Sequence, residues 1–594
     1  MDPLEQYAAR RHRWQETERV LQRQFVRIGN ARLAVAVIAA LVAWLAYGKH
    51  AVTPWALLVP IVAFAALFVH HQGILRKRDT SSRAVRYYEA GIERIHDRWM
   101  GHGPAGNEFC HKDHVYAEDL DVFGNGSLFE LVCRSRTAAG AAALANWFLS
   151  PASFDEATAR QHAVRELASR VDLREDFALL GKDDRVEIHS HAIEKWAAAP
   201  RIFFPPLLRI AAVAFSAAAL TVTIAFFAGL VRLSAVAAVL GCNFIFIYAL
   251  RSRVERVLGT LGLKAQHLRT LSLLVQRLES ETFQSARPQQ LRAALNVTGI
   301  AASKRVAQLL RWMDLAESGE HVLVRGVLRP LLLWQEHIAM GIEAWRTENA
   351  ALLCGCVAAI AEFEALSSLA SLAFERPHWN FPALISDPEA LFAAKKLQHP
   401  LMPSAKCVPN SVSIGGELRV LIISGSNMSG KSTLLRAVGL NTVLAWAGAP
   451  VAAAEMQISR LHVGASIRVI DSLQDNRSRF FAEITRIRQI IDLTKQHSVL
   501  FLLDELLSGT NSHDRRIGAS AIVRNLVQAS AIGLITTHDL ALADIERDLG
   551  ARAANAHFED VMIDSRIEFD YRLRPGVVAR SNALDLMRAV GLEV

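Results

Sequence analysis

Four apolar stretches constrain this chain more than anything else in it: Leu33 to Tyr47, Pro54 to Val69, Ile210 to Val231 and Leu233 to Leu250. The third is long enough to span a bilayer unaided, and the others lie near the lower end of the roughly 17 to 25 residues that a tilted helix needs. They form two pairs, each joined by a very short connection carrying one basic residue, Lys49 or Arg232. The outer flanks hold Arg27 and Arg32, then Arg76, Lys77 and Arg78, then Arg251 and Arg253. That bias predicts both hairpin tips outside and everything else in the cytoplasm, as in a multi-pass protein of the cell (inner or plasma) membrane. The polar side chains within the spans, Thr221, Thr223 and Asn243, include no charge, which argues against an ion or proton pathway.

Composition agrees with a membrane part. The chain is 52% hydrophobic with a mean hydropathy of +0.20, too apolar for an ordinary soluble enzyme. Its net charge of +8 suits an anionic membrane face and nucleic acid equally well. The six cysteines are scattered and form no CxxC pair, so neither a disulfide framework nor a zinc ribbon is indicated.

From residue 411 onward, short aliphatic runs alternate with helical patterns, the signature of a parallel sheet. The stretch LRVLIISGSNMSGKSTLLRAVG reads as a strand, a loop fitting G-x-x-x-x-G-K-[ST], and a helix. Glycines at 425 and 430 let backbone N–H groups close on phosphate oxygens, and the helix N-terminus adds its positive dipole. Lys431 reaches the β- and γ-phosphates and the Ser432 hydroxyl ligates Mg²⁺. The whole loop, Gly425, Ser426, Asn427, Met428, Ser429, Gly430, Lys431, Ser432 and Thr433, is the candidate ATP-binding segment. In SVLFLLDELLSGTN, five apolar residues end in two carboxylates: Asp504 to hold Mg²⁺ and Glu505 to orient or deprotonate the attacking water. GLITTHDL is a further strand, placing His538 where a γ-phosphate sensor would sit.

These residues carry a resemblance. GSNMSGKST resembles the phosphate loop of MutS-type mismatch-repair ATPases, and the similarity continues through AWAGAPVAAAEMQISRLHVGAS, DSLQDNRSRFFAEITRIRQII, LLDELLSGTNSHD, TTHDL and the closing YRLRPGVVARSNALDLMRAVGL. A separate stretch, YAEDLDVFGNGSLFELVCRSRTAAGAAALANWFLSP, is similar to the opening of the family's helical core. The resemblance implies ATP and Mg²⁺, a homodimer in which each nucleotide is sealed by the opposite subunit, and Ser478 as the residue acting across that interface. Departures are visible too. Ser426 and Ser429 stand where the family has proline and glycine, Cys407 where it usually places an aromatic residue on the adenine, and Ser508 where an arginine is common. They imply slow turnover.

Nothing before Tyr116 resembles the family's mismatch reader, and the stretch 251–397 reads as consecutive helices without room for its DNA clamp. The expected fold class is multidomain, α plus α/β. It comprises a cytoplasmic N-terminal helix (1–32), transmembrane hairpin 1 (33–69), a cytoplasmic linker (70–115), the first part of an all-α MutS-like core (116–200), transmembrane hairpin 2 (201–250), core and lever helices (251–397) and a P-loop α/β ATPase domain (398–594). The expected function is a membrane-anchored, dimeric, ATP-driven switch of the membrane-anchored branch of MutS-like proteins. A mismatch-repair-like or DNA-binding role belongs to that reading, as does an unknown protein partner. Any DNA affinity would be weak, not mismatch-specific, and supplied by basic side chains such as Arg305, Arg311 and Arg325. The alternatives are a transport-related ATPase of ABC type and an ATP-binding scaffold with little hydrolysis.

Overall fold

The computed structural model describes residues 2–111, 113–181, 190–259, 262–296, 299–319, 324–387, 389–426, 428–468, 479–507, 510–538, 545–563 and 566–577. It divides into two compact units: Met1–Arg134, Leu144–Leu179 and Leu366–Val594 form one, and Ser135–Ala143 and Leu180–Ala365 the other.

The first unit begins with two long helices. Pro3–Ala43 starts on Asp2, whose side chain accepts from Leu4 N–H, with proline preset for the first turn. A short connection leads to Leu58–Ile95, packed antiparallel along it. The stretch expected as a linker from residue 70 is thus helical as far as Ile95. Its apolar periodicity past the basic cluster, with Ala84, Val85, Tyr88 and Ile92 buried, keeps the helix going. At the far end from the apolar stretches lies a buried polar cluster. Arg94 donates to both carboxylate oxygens of Glu375, at 2.8 and 2.6 Å, and the Tyr7 hydroxyl reaches the same carboxylate at 3.3 Å. Burial pushes the Glu375 carboxyl up, but the guanidinium of Arg94, reinforced by Arg134 and Arg174, outweighs it and holds the net shift downward.

The rest of this unit is α/β. A six-stranded sheet has the order β10-β9-β4-β8-β7-β6, where β4 is Val420–Ser424, β6 His462–Ser466, β7 Val499–Leu503, β8 Ile532–Thr537, β9 Ala553–Ile563 and β10 Arg566–Pro575. All pairs are parallel except β10 with β9. Strands β4, β7 and β8 are buried along their whole length, which is why they read as unbroken aliphatic runs. A smaller sheet joins β1 (Ala383–Ile385), β5 (Glu455–Ser459), β2 (Leu391–Leu397) and β3 (Asn410–Gly415) in that order. Strands β1 and β2 correct the expectation that 251–397 is helical throughout: helix Trp334–Glu375 ends that run. LFAAKKL has the composition of a helix, and pairing with β3 and β5, which buries Phe392, Ala394 and Leu397, overrides it.

The second unit is helical. Pro206–Phe227 and Leu233–Leu258 form a hairpin turning at Gly229, which has φ 74°. Their apolar side chains are largely uncovered: Leu207 is 76% exposed and Phe227 83%. By length and composition these two helices, the two N-terminal ones and Trp334–Glu375 could each cross a membrane. The last differs, because over half of its apolar window is buried inside the protein. Asn243, fully buried, spends its amide on the carbonyl of Pro330 at 2.8 Å, and Ser216 donates to Leu332 O at 3.0 Å, so these intraspan polar groups brace a short helix, Arg329–Leu332. Arg305, expected as a phosphate contact, donates instead to Asn349 Oδ1 at 2.7 Å; Arg311 is exposed, and the Arg325 side chain lies outside the described residues.

Removing one partner of a fully buried ion pair strands the other charge. Glu375→Ala is therefore expected to destabilise the protein by about 3 kcal/mol in denaturant titration. A change below about 0.5 kcal/mol would show that the cluster contributes nothing net.

Candidate functional site

Three neighbouring strands of the large sheet, β4, β8 and β7, end at the same carboxyl edge, where open α/β sheets bind ligands. The segment after β4 forms the loop. Gly425 leaves no space for a side chain, since a Cβ there would sit 2.9 Å from Ser429 Oγ and 3.1 Å from Phe558 O. Met428 is left-handed at φ 68° with its side chain in solvent, and Gly430, at φ 102°, starts the buried helix Lys431–Ala447. Lys431 is buried and folds its amine back into the loop, donating to Gly425 O at 2.9 Å and Ser426 O at 2.6 Å. The Ser429 hydroxyl is also buried, with no hydrogen-bond partner among the described residues.

Strand β7 supplies the acids. Ser432 Oγ donates to Asp504 Oδ2 at 2.5 Å, and the other Asp504 oxygen accepts from the Thr536 hydroxyl on β8. Thr536 Oγ1 in turn accepts from Glu505 N–H at 3.0 Å. That bond fixes the backbone at Glu505, whose left-handed φ of 49° is a strained conformation for this residue. His538 closes the ring: Nδ1 lies 2.9 Å from Gly425 O and Nε2 2.6 Å from Glu505 Oε1. Both nitrogens face oxygens, so the ring is held between the loop carbonyl and the Glu505 carboxyl group.

The structure thus gathers Gly425, Ser426, Met428, Ser429, Gly430, Lys431, Ser432, Thr433, Asp504, Glu505 and His538 at one edge. Asn427, Ser478, Ser508 and the stretch after residue 577 lie outside the described residues.

A cavity of about 540 Å³ opens from this edge, lined at the far side by His399, Lys406, Cys407, Val408 and Tyr571. Two of the site's side chains escape sequence reasoning. Thr536, the first threonine of TTHDL, links the two acids. Tyr571 enters from β10, more than 160 positions away from Asn410, which clamps it by donating to Tyr571 O at 2.9 Å and accepting from Leu573 N–H at 2.7 Å. The strand register breaks between Phe569 and Leu573, and this bulge, with Tyr571 at φ 53°, turns the ring onto the loop, 3.2 Å from where a Gly430 Cβ would be. An aromatic face is therefore present in the cavity although Cys407 is not one. Burial pushes the Cys407 thiol up, only partly offset by the His399 N–H it accepts.

With this geometry in view, the likeness to known proteins is informative. Residues 421–593 match the family model of MutS domain V. The chain is 32% identical to the DNA mismatch repair protein MutS of Chloroflexus aurantiacus over 244 residues, 40% of this chain and 25% of that protein. It is 31% identical to endonuclease MutS2 of Shouchella clausii over 208 residues, 34% and 25% of the two chains. A third relative, DNA mismatch repair protein MutS 2 of Halobacterium salinarum, is 31% identical over 281 residues, 46% and 31%. The chain spans about a quarter of the length of the first of these MutS relatives.

His399 gives the site a pH signature. Burial, and then Arg436, depress it from 6.5 to about 4, and its neutral Nδ1 accepts from Leu401 N–H at 3.2 Å. Because the unfolded chain binds this proton more readily, stability is lost as pH falls from about 6.5 to about 4. His399→Gln should remove on the order of 2 kcal/mol from that acid-induced loss, read by denaturant titrations at the two ends of the window. An unchanged pH profile would contradict it.

Proposed function

We propose that the chain is a membrane-anchored ATPase of MutS type that works as a homodimeric conformational switch. The observation that carries the reading is the closed ring of Ser432, Asp504, Thr536, Glu505 and His538, set against a lysine-bearing loop at one sheet edge. The residues suit ATP and Mg²⁺. The buried Ser429 hydroxyl, without a partner among the described residues, and the buried Lys431 amine are groups that a phosphate would satisfy. Ser432 and Asp504, already in contact, would hold Mg²⁺, with Thr536 fixing the second oxygen of Asp504. The bound ion would neutralise charge on the phosphate oxygens.

Each residue then has a task. Lys431 exchanges its two carbonyl partners for phosphate oxygens, and the tyrosine face of Tyr571 offers the base a stacking surface. Glu505 takes the proton of the attacking water once His538 releases it, and His538, freed from Glu505, can donate to the terminal phosphate. The strained backbone at Glu505 holds its carboxylate at the cavity wall. Slow turnover follows from the need to break the His538–Glu505 pair first.

Membrane anchoring is supported by the two hairpins of long apolar helices with uncovered side chains and basic outer flanks. It places the N-terminus, core and ATPase domain in the cytoplasm. Nucleotide-dependent docking of two copies would carry motion along the helices toward the membrane. DNA affinity, if present, would be electrostatic and blind to mismatches; of the two candidates whose side chains are described, Arg311 is exposed and Arg305 is partly covered.

Lys431→Ala should weaken binding of a fluorescent ATP analogue at least about tenfold, a loss of roughly 1.4 kcal/mol. Glu505→Gln should keep that binding while hydrolysis falls about a hundredfold. Wild-type binding by the first variant removes the loop from the site, and wild-type turnover by the second removes Glu505 as the base.

A further inference from the structure

We propose that the cytoplasmic collar of the first apolar hairpin binds the phosphate-bearing headgroup of an anionic phospholipid, with Arg32 as its centre. The inference rests on the membrane reading and adds a ligand to it.

The register of the hairpin is set by aromatic contacts. The Arg32 guanidinium lies 5.1 Å from the ring centres of both Phe64 and Phe68, the Phe25 ring is 4.6 Å from that of His71, and Arg78 lies 5.2 Å over Phe25. Arg32 is thus held against two aromatic rings. A cation–π contact takes the place of no hydrogen bond to oxygen, so N–H donors of the group remain for a ligand. Its Nε is buried without a hydrogen-bond partner, and no carboxylate pairs with the group among the described residues, so its terminal amino groups are the donors a ligand would meet. A planar fork of unused donors fits two oxygens of one phosphate.

Nothing nearby competes. Between Arg19 and Tyr88 the sequence has one acid, Asp79, and its carboxylate sits 3.4 Å from Arg83. In the second hairpin the equivalent flank is spent differently, with Arg251 paired to Glu255 at 2.7 Å. Below Arg32 on the same helix, Arg27 and Arg23 are exposed, lower by about 7 and about 13 Å at helical rise. Arg76 and Lys77 are exposed on the other helix.

The surroundings choose the source of the phosphate. On the other side of Arg32, Leu33 is 68% exposed, Val37 62% and Val69 71%. A ligand with an anionic head beside Arg32 and apolar chains along Leu33, Val37 and Val69 satisfies both surfaces. Free phosphate or a nucleic acid would leave the apolar side uncovered. Because the same two helices run on to Tyr7 and Arg94, such a lipid would sit on the helix pair that contacts Glu375.

The test uses the full chain in phosphatidylcholine nanodiscs carrying a small fraction of spin-labelled lipid. The motionally restricted fraction is compared for phosphatidylglycerol and phosphatidylcholine labels. Wild type should favour phosphatidylglycerol about threefold, and Arg32→Gln should bring the ratio near one. Arg251→Gln should leave the ratio unchanged. Should Arg32→Gln fail to fold, the exposed pair Arg27→Gln with Arg76→Gln must lower the ratio. Equal restriction of the two labels in wild type, or full selectivity in the Arg32 variant, overturns the proposal. Displacement of the lipid label by inorganic phosphate at about 20 mM also overturns it, because the site would then take the free ion. The membrane reading is checked separately: a cysteine at Val52 should react with an impermeant maleimide in intact cells and one at Asp79 should not. Reversed labelling or release by alkaline carbonate overturns both readings, whereas correct labelling without lipid selectivity overturns this one alone.

Discussion

The carboxylate of Glu375 is where three parts of the first unit meet. It ends a helix of 42 residues, takes both guanidinium donors of Arg94 near the end of the second N-terminal helix, and receives the hydroxyl of Tyr7 at the start of the first. A charge this deeply buried persists only when paired, so the N-terminal hairpin cannot leave the helix end without exposing two unpaired ions to a nonpolar interior. The same neighbourhood binds Arg10 and Trp14 to Glu175, and Arg376 to Asp97. Polar groups thus fix where the apolar hairpin attaches, while its length and hydropathy suit it to a bilayer.

Within the same unit the sheet edge works by the same logic on a smaller scale. Asp504 and Glu505 are adjacent in sequence but turned to different tasks by one threonine hydroxyl between them. One acid faces the Ser432 hydroxyl, where a cation would sit; the other faces His538, where the attacking water would give up its proton. The segment Tyr116 to Val132 supports this edge from outside: Asp119 accepts from the N–H groups of Ile467 and Arg468 just past β6, at 2.7 and 2.8 Å. Burial pushes the Asp119 carboxyl up, and those two N–H groups pull it part of the way back.

What could be read from the sequence was what is local. The strand, loop and helix around Lys431, and the acids after β7, are contiguous segments whose geometry follows from glycine positions and an aliphatic run. Contacts made across long separations were hidden. Tyr571 reaches the cavity because a bulge interrupts β10, and a single sequence shows no sign of a bulge. The ion pair between Arg94 and Glu375 joins residues 281 positions apart, and neither lies in a recognisable motif. Strands β1 and β2 were read as helix because Ala, Leu and Lys favour helices and only their partners make them strands. The helical continuation from 70 to Ile95 was missed because the basic cluster at Arg76 to Arg78 looked like the end of an element rather than a collar within one.

The claim that ties these parts together is that nucleotide at the sheet edge changes how two copies of the chain meet, and that the N-terminal hairpin follows. The most direct measurement is the distance between spin labels on exposed Glu89 in the two copies, with Glu505→Gln holding ATP in place. The account predicts that adding ATP and Mg²⁺ shifts the main distance by more than about 5 Å, the scale of a one-turn rearrangement between packed elements. An identical distance distribution with and without nucleotide, or no dipolar signal between labels in either state, would contradict it.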